Sequence, residues 1–231
     1  MSQKNKTILT IIVVIFDIIL LISVLCIRDA TMNNNIRKEV RSLVALDFTK
    51  DRYNTKLRTS GSYGKVEDTI KDYLDEYAVL LQTVLKDMHD EKLTKVLSFE
   101  NYQKDGPEFK ESLEYLGSAK ETFNTNVDKL IADSSEKNII NYGEKRLNNK
   151  QLKLYKELML DKSMLEEFSS TQKTLQETKV RVNNIYDTST SVLNFLIKNK
   201  DNWKLEKGEI KFKTQALYNE YNNMIKKLDT K

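Results

Sequence analysis

The sequence predicts an all-α protein: a single N-terminal transmembrane helix, then an elongated antiparallel bundle of about five or six helices, with one small β-hairpin near the C-terminus. Three observations predict this fold. Residues 8–27 are almost continuously apolar. Much of the remaining chain repeats apolar residues in alternating steps of three and four, the spacing of one helix face. The 231 residues include only one proline and six glycines, so few positions would break a helix.

The apolar segment 8–27 is long enough to cross a bilayer. Sixteen of its residues are Ile, Leu, Val or Phe, and a helix of this length spans roughly 30 Å, the thickness of the hydrocarbon core. The run exceeds the apolar part of a cleaved signal peptide, and no small-residue cleavage site follows it. Basic residues flank both sides, so their count does not favour export. The charged tail 1–7 in front of the segment is typical of a signal anchor, which predicts a single-pass cell-membrane protein with its bulk outside the cytoplasm.

Asp17 lies at the middle of this segment. A carboxylate at that depth costs about 2.5 to 3.5 kcal/mol on insertion scales, a cost that the surrounding apolar residues outweigh. Ionisable groups inside membranes usually face protein or water. One interpretation is therefore that Asp17 pairs with a partner helix, which makes it a candidate partner-binding residue. The alternative is a charge tolerated in an apolar helix.

The composition argues against several classes of function. Lys and Arg total 38 against 34 Asp and Glu, a net charge of +4, which is too balanced for a nucleic-acid binder with a concentrated basic face. The single cysteine, Cys26, lies in the apolar segment, and His89 is the one histidine. A cysteine metal cluster or an intrachain disulfide cannot be built from these residues, and a Cys–His or Ser–His pair would need His89 itself. His89 could bind a metal with the neighbouring carboxylates, but a solvent-exposed position is the better interpretation. We expect no enzyme, no cofactor, no metal site and no nucleic-acid partner.

Residues 36–231 are predicted to form one helical-bundle domain, joined to the membrane segment by a hinge at 28–35. Asn33–Asn35 provide the polar hinge and an N-cap for the first helix. Gly61 and Gly64 end that helix, Pro107 starts the third, and Ser98–Gly106 form the longest irregular connection. Possible capping boxes at 133–136 and 163–166 open the fourth and fifth helices. The helical stripes cover residues 36–59, 66–97, 107–133, 136–158, 164–196 and 214–228.

The longest of these helices carries hydroxyl residues within its apolar stripe. Thr171, Thr178 and Ser189 occupy stripe positions, with Asn183, Asn184 and Asp187 nearby. One interpretation makes them the lining of a polar pocket between helices. The other, which we favour, is that each hydroxyl bonds a carbonyl one turn back and is satisfied in the core.

The apolar period changes from helical to alternating between Trp203 and Phe212. This places Trp203, Leu205, Ile210 and Phe212 on one face of two short strands, with Lys207–Gly208 as a two-residue turn. A lone hairpin is only marginally stable in water, so its apolar face must be covered. The four residues on that face are the remaining candidates for partner binding.

The leading functional prediction is a membrane-anchored, extracytoplasmic and non-catalytic bundle. It would contact the bilayer through residues 8–27 and bind a partner protein or a second copy of itself, or scaffold a cell-envelope assembly. The alternative is an extracytoplasmic ligand-sensing domain with a pocket between helices. A carboxylate-dependent enzyme is the third and least favoured interpretation.

Overall fold

The structure, a computed structural model, describes residues 23, 25–43, 46 and 56–228. These residues are mostly helical, with one two-stranded sheet near the C-terminus, so the predicted all-α class and its hairpin are confirmed. Most of the predicted transmembrane segment 8–27, including Asp17, lies outside the described residues. Among the helices that are described, none is both long enough and apolar enough to cross a membrane.

Among the described residues at the start of the chain, 23 and 25–43 are helical, and we call this helix α1. The helices that follow are, in chain order, α2 (Gly61–Met88), α3 (Glu91–Lys95), α4 (Phe99–Asp105), α5 (Lys110–Asp133), α6 (Glu136–Glu144), α7 (Asn149–Met159) and α8 (Lys162–Lys198). A 3-10 turn, Lys200–Asn202, leads into strands β1 (Trp203–Glu206) and β2 (Glu209–Phe212), and helix α9 (Gln215–Lys226) follows them.

The chain divides into two compact units. The first contains the described residues up to Asp75 together with Ile139–Met164. The second contains Glu76–Asn138 and the described residues from Leu165 onward. Helices α2, α6 and α8 each contribute residues to both units. The single domain predicted for residues 36–231 stays a prediction.

The first unit is built on apolar residues at helical spacing. Gly143 allows α6 and α7 to approach closely, because a Cβ atom at this position would lie 2.7 Å from the Tyr155 ring. The buried apolar side chains of this unit come from α1, α2, α6, α7 and the start of α8: Ile36, Val40, Leu43, Val66, Ile70, Tyr73, Leu74, Ile139, Tyr155, Leu158, Met159 and Met164.

A buried cluster of charges joins α1 to α2 within the first unit. Lys71 Nζ lies 2.9 Å from Glu39 Oε1 and 2.8 Å from Glu67 Oε1. Arg58 Nε lies 2.7 Å from the other oxygen of Glu39, in an ion pair that lacks hydrogen-bond alignment. Lys71 and the two carboxylates are buried, whereas the Arg58 side chain is 64% exposed and neutralises the second carboxylate from the solvent side. The charges of the two acids and two bases thus balance, as burial of ionised groups requires.

Residues 28–35 are helical, where the sequence predicted a hinge, and α1 begins before Ile36. The Asn33 side-chain oxygen accepts a hydrogen bond from Arg37 Nε at 3.1 Å, one turn along the same helix. Asparagine costs a helix only a fraction of a kcal/mol, so three in succession need not interrupt it. The first helix also ends earlier than predicted: residue 46 is already outside the helix, and residues 56–60 are irregular.

In the second unit, α2 ends at Met88 instead of continuing through Leu97. The Asp90 carboxylate accepts a hydrogen bond from the Lys92 N–H at 2.9 Å and caps the separate helix α3. The predicted irregular connection 98–106 contains helix α4, which Ser98 caps through the Asn101 N–H at 3.2 Å. Each correction follows from a side-chain cap, which competes locally with continuation of the preceding structure.

The predicted fourth helix is two helices. The first of them, α6, ends at Glu144. The second, α7, begins after a capping box formed by Asn148 and Gln151. Helix α8 begins at Lys162, and Asp161, not Ser163, accepts the capping hydrogen bonds, at 3.0 Å from the Ser163 N–H and 2.7 Å from its hydroxyl. These bonds from Ser163 lower the pKa of the Asp161 carboxyl.

Polar side chains of α8 contact α5 in the second unit. Asn183 and Asn124 form a reciprocal amide pair, with hydrogen bonds of 2.9 and 3.0 Å. Asp187 pairs with Lys120 on α5, and Ser189 is buried. Both Asn183 and Asp187 are thus engaged in contacts between helices.

Candidate protein-docking site at the C-terminal hairpin

The hairpin has the predicted strands and turn. Trp203 lies opposite Phe212, and Leu205 lies opposite Ile210. Lys207 and Gly208 have φ angles of 51° and 82°. Two successive positive φ angles are the signature of the turn type whose twist matches that of paired strands.

Trp203 packs inside the second unit. Its indole is half-buried and stacks on the Phe109 ring, with centroids 6.2 Å apart and planes 21° from parallel. Its Nε1–H donates a hydrogen bond to the Leu196 carbonyl at 2.8 Å. The one polar group of the indole is therefore satisfied within the protein, as buried tryptophan requires.

The turn before α5 places Phe109 beneath this indole. Phe109 has a φ of 46° and is fully buried. Phe109 occupies the N-cap position of α5, but its side chain cannot accept a hydrogen bond. The Asp105 carboxylate takes this role and accepts hydrogen bonds from the N–H groups of Glu111 at 3.2 Å and Ser112 at 2.8 Å. Burial alone would raise the pKa of Asp105, but the hydrogen bonds from Ser112 and Glu111 outweigh it and lower the pKa. Gly106 is required here, because a Cβ would lie 2.5 Å from the Tyr102 carbonyl oxygen.

Phe212 and α9 form the other side of the hairpin's apolar face. The Phe212 ring centroid lies 5.3 Å from that of Tyr221 and 6.1 Å from that of Phe195. The Tyr221 and Tyr102 hydroxyls share a hydrogen bond at 3.1 Å. Burial, followed by the charge and hydrogen bond of the neighbouring phenol, raises the pKa of Tyr102, so both groups are neutral phenols at physiological pH. Thr214 fixes the start of α9 as predicted, by accepting a hydrogen bond from the Leu217 N–H at 3.3 Å.

A groove of about 740 Å³ lies beside β2, and we call it the β2 groove. Its residues come from β2 and the turns at both ends, from α9, and from the segment around α4. They are Leu97, Phe99, Tyr102, Gly208, Glu209, Ile210, Lys211, Phe212, Lys213, Thr214, Gln215, Tyr218, Tyr221 and Asn222.

The β2 groove runs along the edge of the strand. Six consecutive residues, 208–213, line it, although successive strand side chains point to opposite faces of a sheet. A groove on one face of the hairpin would mainly meet the side chains at every second position and would include residues of both strands. Strand β1, which the structure describes in full, contributes none of the lining. The groove therefore follows the side of β2 that faces away from β1.

Backbone groups of β2 point toward that side. The Lys213 N–H donates to the Asn202 carbonyl at 2.8 Å, which makes this a hydrogen-bonded pair of the ladder. Because such pairs alternate along antiparallel strands, Ile210 and Phe212 direct their N–H and C=O groups away from β1. Within the described residues these four groups have no hydrogen-bond partner.

The four hairpin residues predicted from the sequence differ in their access to the groove. Trp203, Leu205, Ile210 and Phe212 share one half-buried face of the hairpin. Of these four, Ile210 and Phe212 line the β2 groove, and Trp203 and Leu205 do not. Their role in partner binding, like that of Asp17, stays a prediction.

Sequence reasoning missed the contribution of Phe99 and Tyr102 to the groove because it treated their segment as irregular. The Ser98 N-cap was the signal that could have located a helix there.

His89 lies near the end of α2, on the surface of the described part of the chain. Its side chain is exposed, and Nδ1 lies 2.8 Å from the Leu85 carbonyl oxygen. No group of three or more His, Cys, Asp or Glu residues in the described ranges is arranged to hold a metal ion.

The chain matches no protein-family model, no curated protein and no solved structure. Functional conclusions therefore depend on the residues of this chain alone.

Proposed function

We propose that this chain is a membrane-anchored, non-catalytic protein that binds a partner protein through the β2 groove. The groove itself is the observation that carries the proposal. Its walls include Phe99, Phe212 and Tyr218, and Tyr218 is 45% exposed. Aromatic side chains are enriched at protein interfaces, where they bury large areas at a small cost in conformational entropy.

The proposed anchor is the segment 8–27, with the described chain on the outer side of the cell membrane. Leu25 and Ile27 on α1 are 53% and 67% exposed. These two residues belong to the C-terminal end of the apolar segment, and a membrane-spanning helix presents such side chains to lipid. The charge cluster around Lys71 fixes the later part of α1 to α2. A membrane helix that continues into α1 would thus carry the first unit without an intervening hinge.

Site-specific photocrosslinking in intact cells tests the proposed docking site. A benzophenone amino acid replaces Tyr218 in the full-length chain, and a matched variant carries it at Val180, which is 61% exposed and lies outside the groove lining. We expect a discrete adduct with one partner protein from position 218 and none from position 180. Equal labelling at both positions, or no adduct at either, would contradict a docking role for the groove.

Alkaline carbonate extraction tests the anchor separately. The full-length chain should stay in the membrane pellet, and a chain without residues 8–27 should be released. Protease added to cells without an outer barrier should digest the full-length chain and leave a membrane-bound stub. Release of the full-length chain by carbonate would overturn the anchor, and protection from protease would reverse the proposed orientation.

A further inference from the structure

We infer that the β2 groove takes an extended segment of the partner protein, with alternating acidic and apolar residues, as a third strand paired with β2. This inference rests on the proposed function, since it names the kind of partner that the same groove would bind. Four features of the second unit support it: the path of the groove, the backbone groups along it, the charges beside it and the phenols among its lining residues.

The path and the backbone groups fit an added strand. The groove follows the edge of β2 over residues 208–213, so a ligand there meets backbone as well as side chains. Ile210 and Phe212 offer two N–H donors and two C=O acceptors in strand register. Strand addition to an exposed sheet edge uses this arrangement: main-chain hydrogen bonds give affinity, and alternate side chains give specificity.

The charges favour acidic residues on one face of the added strand. Lys211 lies directly opposite Lys204 in the hairpin, and like charges so placed repel one another. Each of these lysines has a glutamate partner two residues away on its own strand. Lys213, one step further along this face, has no ion pair within the described part of the chain. Lys213 is therefore the charge along this face that an acidic side chain of the added strand would neutralise, with Lys211 and its partner Glu209 next to it.

The other face of the added strand would meet aromatic residues. Ile210 and Phe212 are half-buried, and Phe212 contacts Tyr221. The Tyr221 and Tyr102 hydroxyls carry two hydrogens and use one in their mutual bond. The mutual bond does not use the second hydrogen, and both tyrosines line the groove. A partner segment with apolar side chains against Ile210 and Phe212, and with a backbone carbonyl near the two tyrosine hydroxyls, would fit both the aromatic surface and the unused hydrogen.

The probe is a fluorescein-labelled octapeptide of alternating glutamate and valine, titrated against the full-length protein in detergent by fluorescence polarisation. Two matched peptides carry N-methyl groups on the valines or on the glutamates. If the peptide pairs antiparallel with β2, its residues opposite Ile210 and Phe212 exchange backbone hydrogen bonds with them. Those peptide residues also lie on the apolar face of Ile210 and Phe212, so we expect valines at these positions and glutamates at the positions between them. We expect valine methylation to weaken binding by about tenfold or more, and glutamate methylation to have little effect. Parallel addition would reverse the two effects and would still support an added strand.

Two variants of the protein test the same hydrogen bonds from its side. Ile210→Pro removes an N–H that points away from β1, so the hairpin keeps its own ladder. Ile210→Val has a side chain of similar size and keeps the N–H. We expect Ile210→Pro to weaken peptide binding by about tenfold and Ile210→Val to bind nearly as the parent protein does. Emission of the single tryptophan, Trp203, reports whether the hairpin is intact in each variant.

Binding that is equally insensitive to both methylation patterns would overturn strand addition, as would the absence of binding. If the photocrosslink from position 218 persists in either case, the docking function stands and only its mode is wrong. Concentration-dependent dimerisation that Ile210→Pro abolishes would instead make a second copy of this chain the occupant, and would overturn the partner segment. Loss of both the crosslink and peptide binding would overturn the proposed function as well.

Discussion

Lys71 and Glu67 lie one turn apart on α2 and pair at 2.8 Å, although their side chains are only 4% and 0% exposed. The Glu67 carboxylate also accepts hydrogen bonds from the N–H groups of Arg58 and Thr59 and from the Thr59 hydroxyl. Lys71 in turn donates to the Lys56 carbonyl at 2.8 Å. The pair therefore holds segment 56–60 against α2. Burial of charge is costly, so such a cluster is stable only while every member is present.

Replacing Lys71 by methionine should destabilise the protein strongly. The Lys71→Met change leaves Glu39 and Glu67 as buried carboxylates without their shared partner, and we expect the free energy of unfolding to fall by about 3 to 5 kcal/mol. Lys65→Met is the matched control on the same helix, because Lys65 and Asp68 are about half exposed and 3.9 Å apart. It should change stability by less than about 0.5 kcal/mol. Denaturant unfolding measures both, and a similar effect of the two changes would contradict the importance of the cluster.

The contribution of Glu67 should disappear in acid. Burial by itself would raise its pKa, but the hydrogen bonds from Lys71, Thr59 and the Arg58 backbone outweigh it and lower the pKa below the ordinary value of 4.5. A carboxyl with a depressed pKa in the folded state stabilises the protein above its unfolded-state pKa. The contribution is lost as pH falls from about 4.5 through the folded-state pKa. The stability difference between the parent protein and Glu67→Gln, measured by denaturant unfolding, should shrink over that window. A constant difference would show that Glu67 does not titrate in this way.

Truncation of Trp203 should destabilise the second unit. The indole stacks on Phe109 and donates to the Leu196 carbonyl, so Trp203→Ala should lower the free energy of unfolding by about 3 kcal/mol, the lower end for a large aromatic because the ring is half-buried. Trp203→Phe keeps a ring on Phe109 and loses the hydrogen bond, for a cost of about 1 kcal/mol. Calorimetric melting distinguishes these values. An unchanged melting temperature in Trp203→Ala, with loss of the partner crosslink, would make Trp203 a binding anchor.

Two glycines should respond in opposite directions to alanine. A Cβ at Gly106 would lie 2.5 Å from the Tyr102 carbonyl oxygen, whereas at Gly117 on α5 nothing lies within 4 Å. Gly106→Ala should cost about 1 to 3 kcal/mol through overpacking. Gly117→Ala should stabilise the protein by about 0.5 to 1 kcal/mol, because alanine loses less backbone freedom in a helix. Thermal melts followed by circular dichroism compare the two, and destabilisation by Gly117→Ala would contradict the open space beside it.

The sequence predicted those secondary-structure elements that depend on residues close together in the chain, such as turn residues, caps and apolar periodicity. Lys207–Gly208 specify the turn, the alternating period places Ile210 and Phe212 on one face, and Thr214 caps α9. The stripe ending at Asp133 likewise identified most of α5. Each of these features depends on backbone preferences and periodicity, which the sequence carries directly.

Helix boundaries were less predictable where two local signals compete. Asp90 ends one helix and caps another inside a continuous apolar stripe, and Ser98 starts α4 where a loop was predicted. Asn33 bonds to Arg37 within α1 although asparagine also favours caps. Packing of the whole unit decides between such alternatives, because their local free energies differ by only about 1 kcal/mol.

The sequence by itself determined the helical class, the hairpin with its register, and the apolar character of residues 8–27, because each depends on composition or on residues close together in the chain. Only the tertiary structure decided that Glu39 and Lys71, which lie on different helices, share a buried charge cluster. It also decided that Phe109 lies beneath Trp203, and that Tyr102 meets Tyr221 in the β2 groove. These contacts join residues far apart in sequence, and no periodicity encodes them: they form only when burial of many apolar side chains offsets the conformational entropy lost in bringing distant segments together.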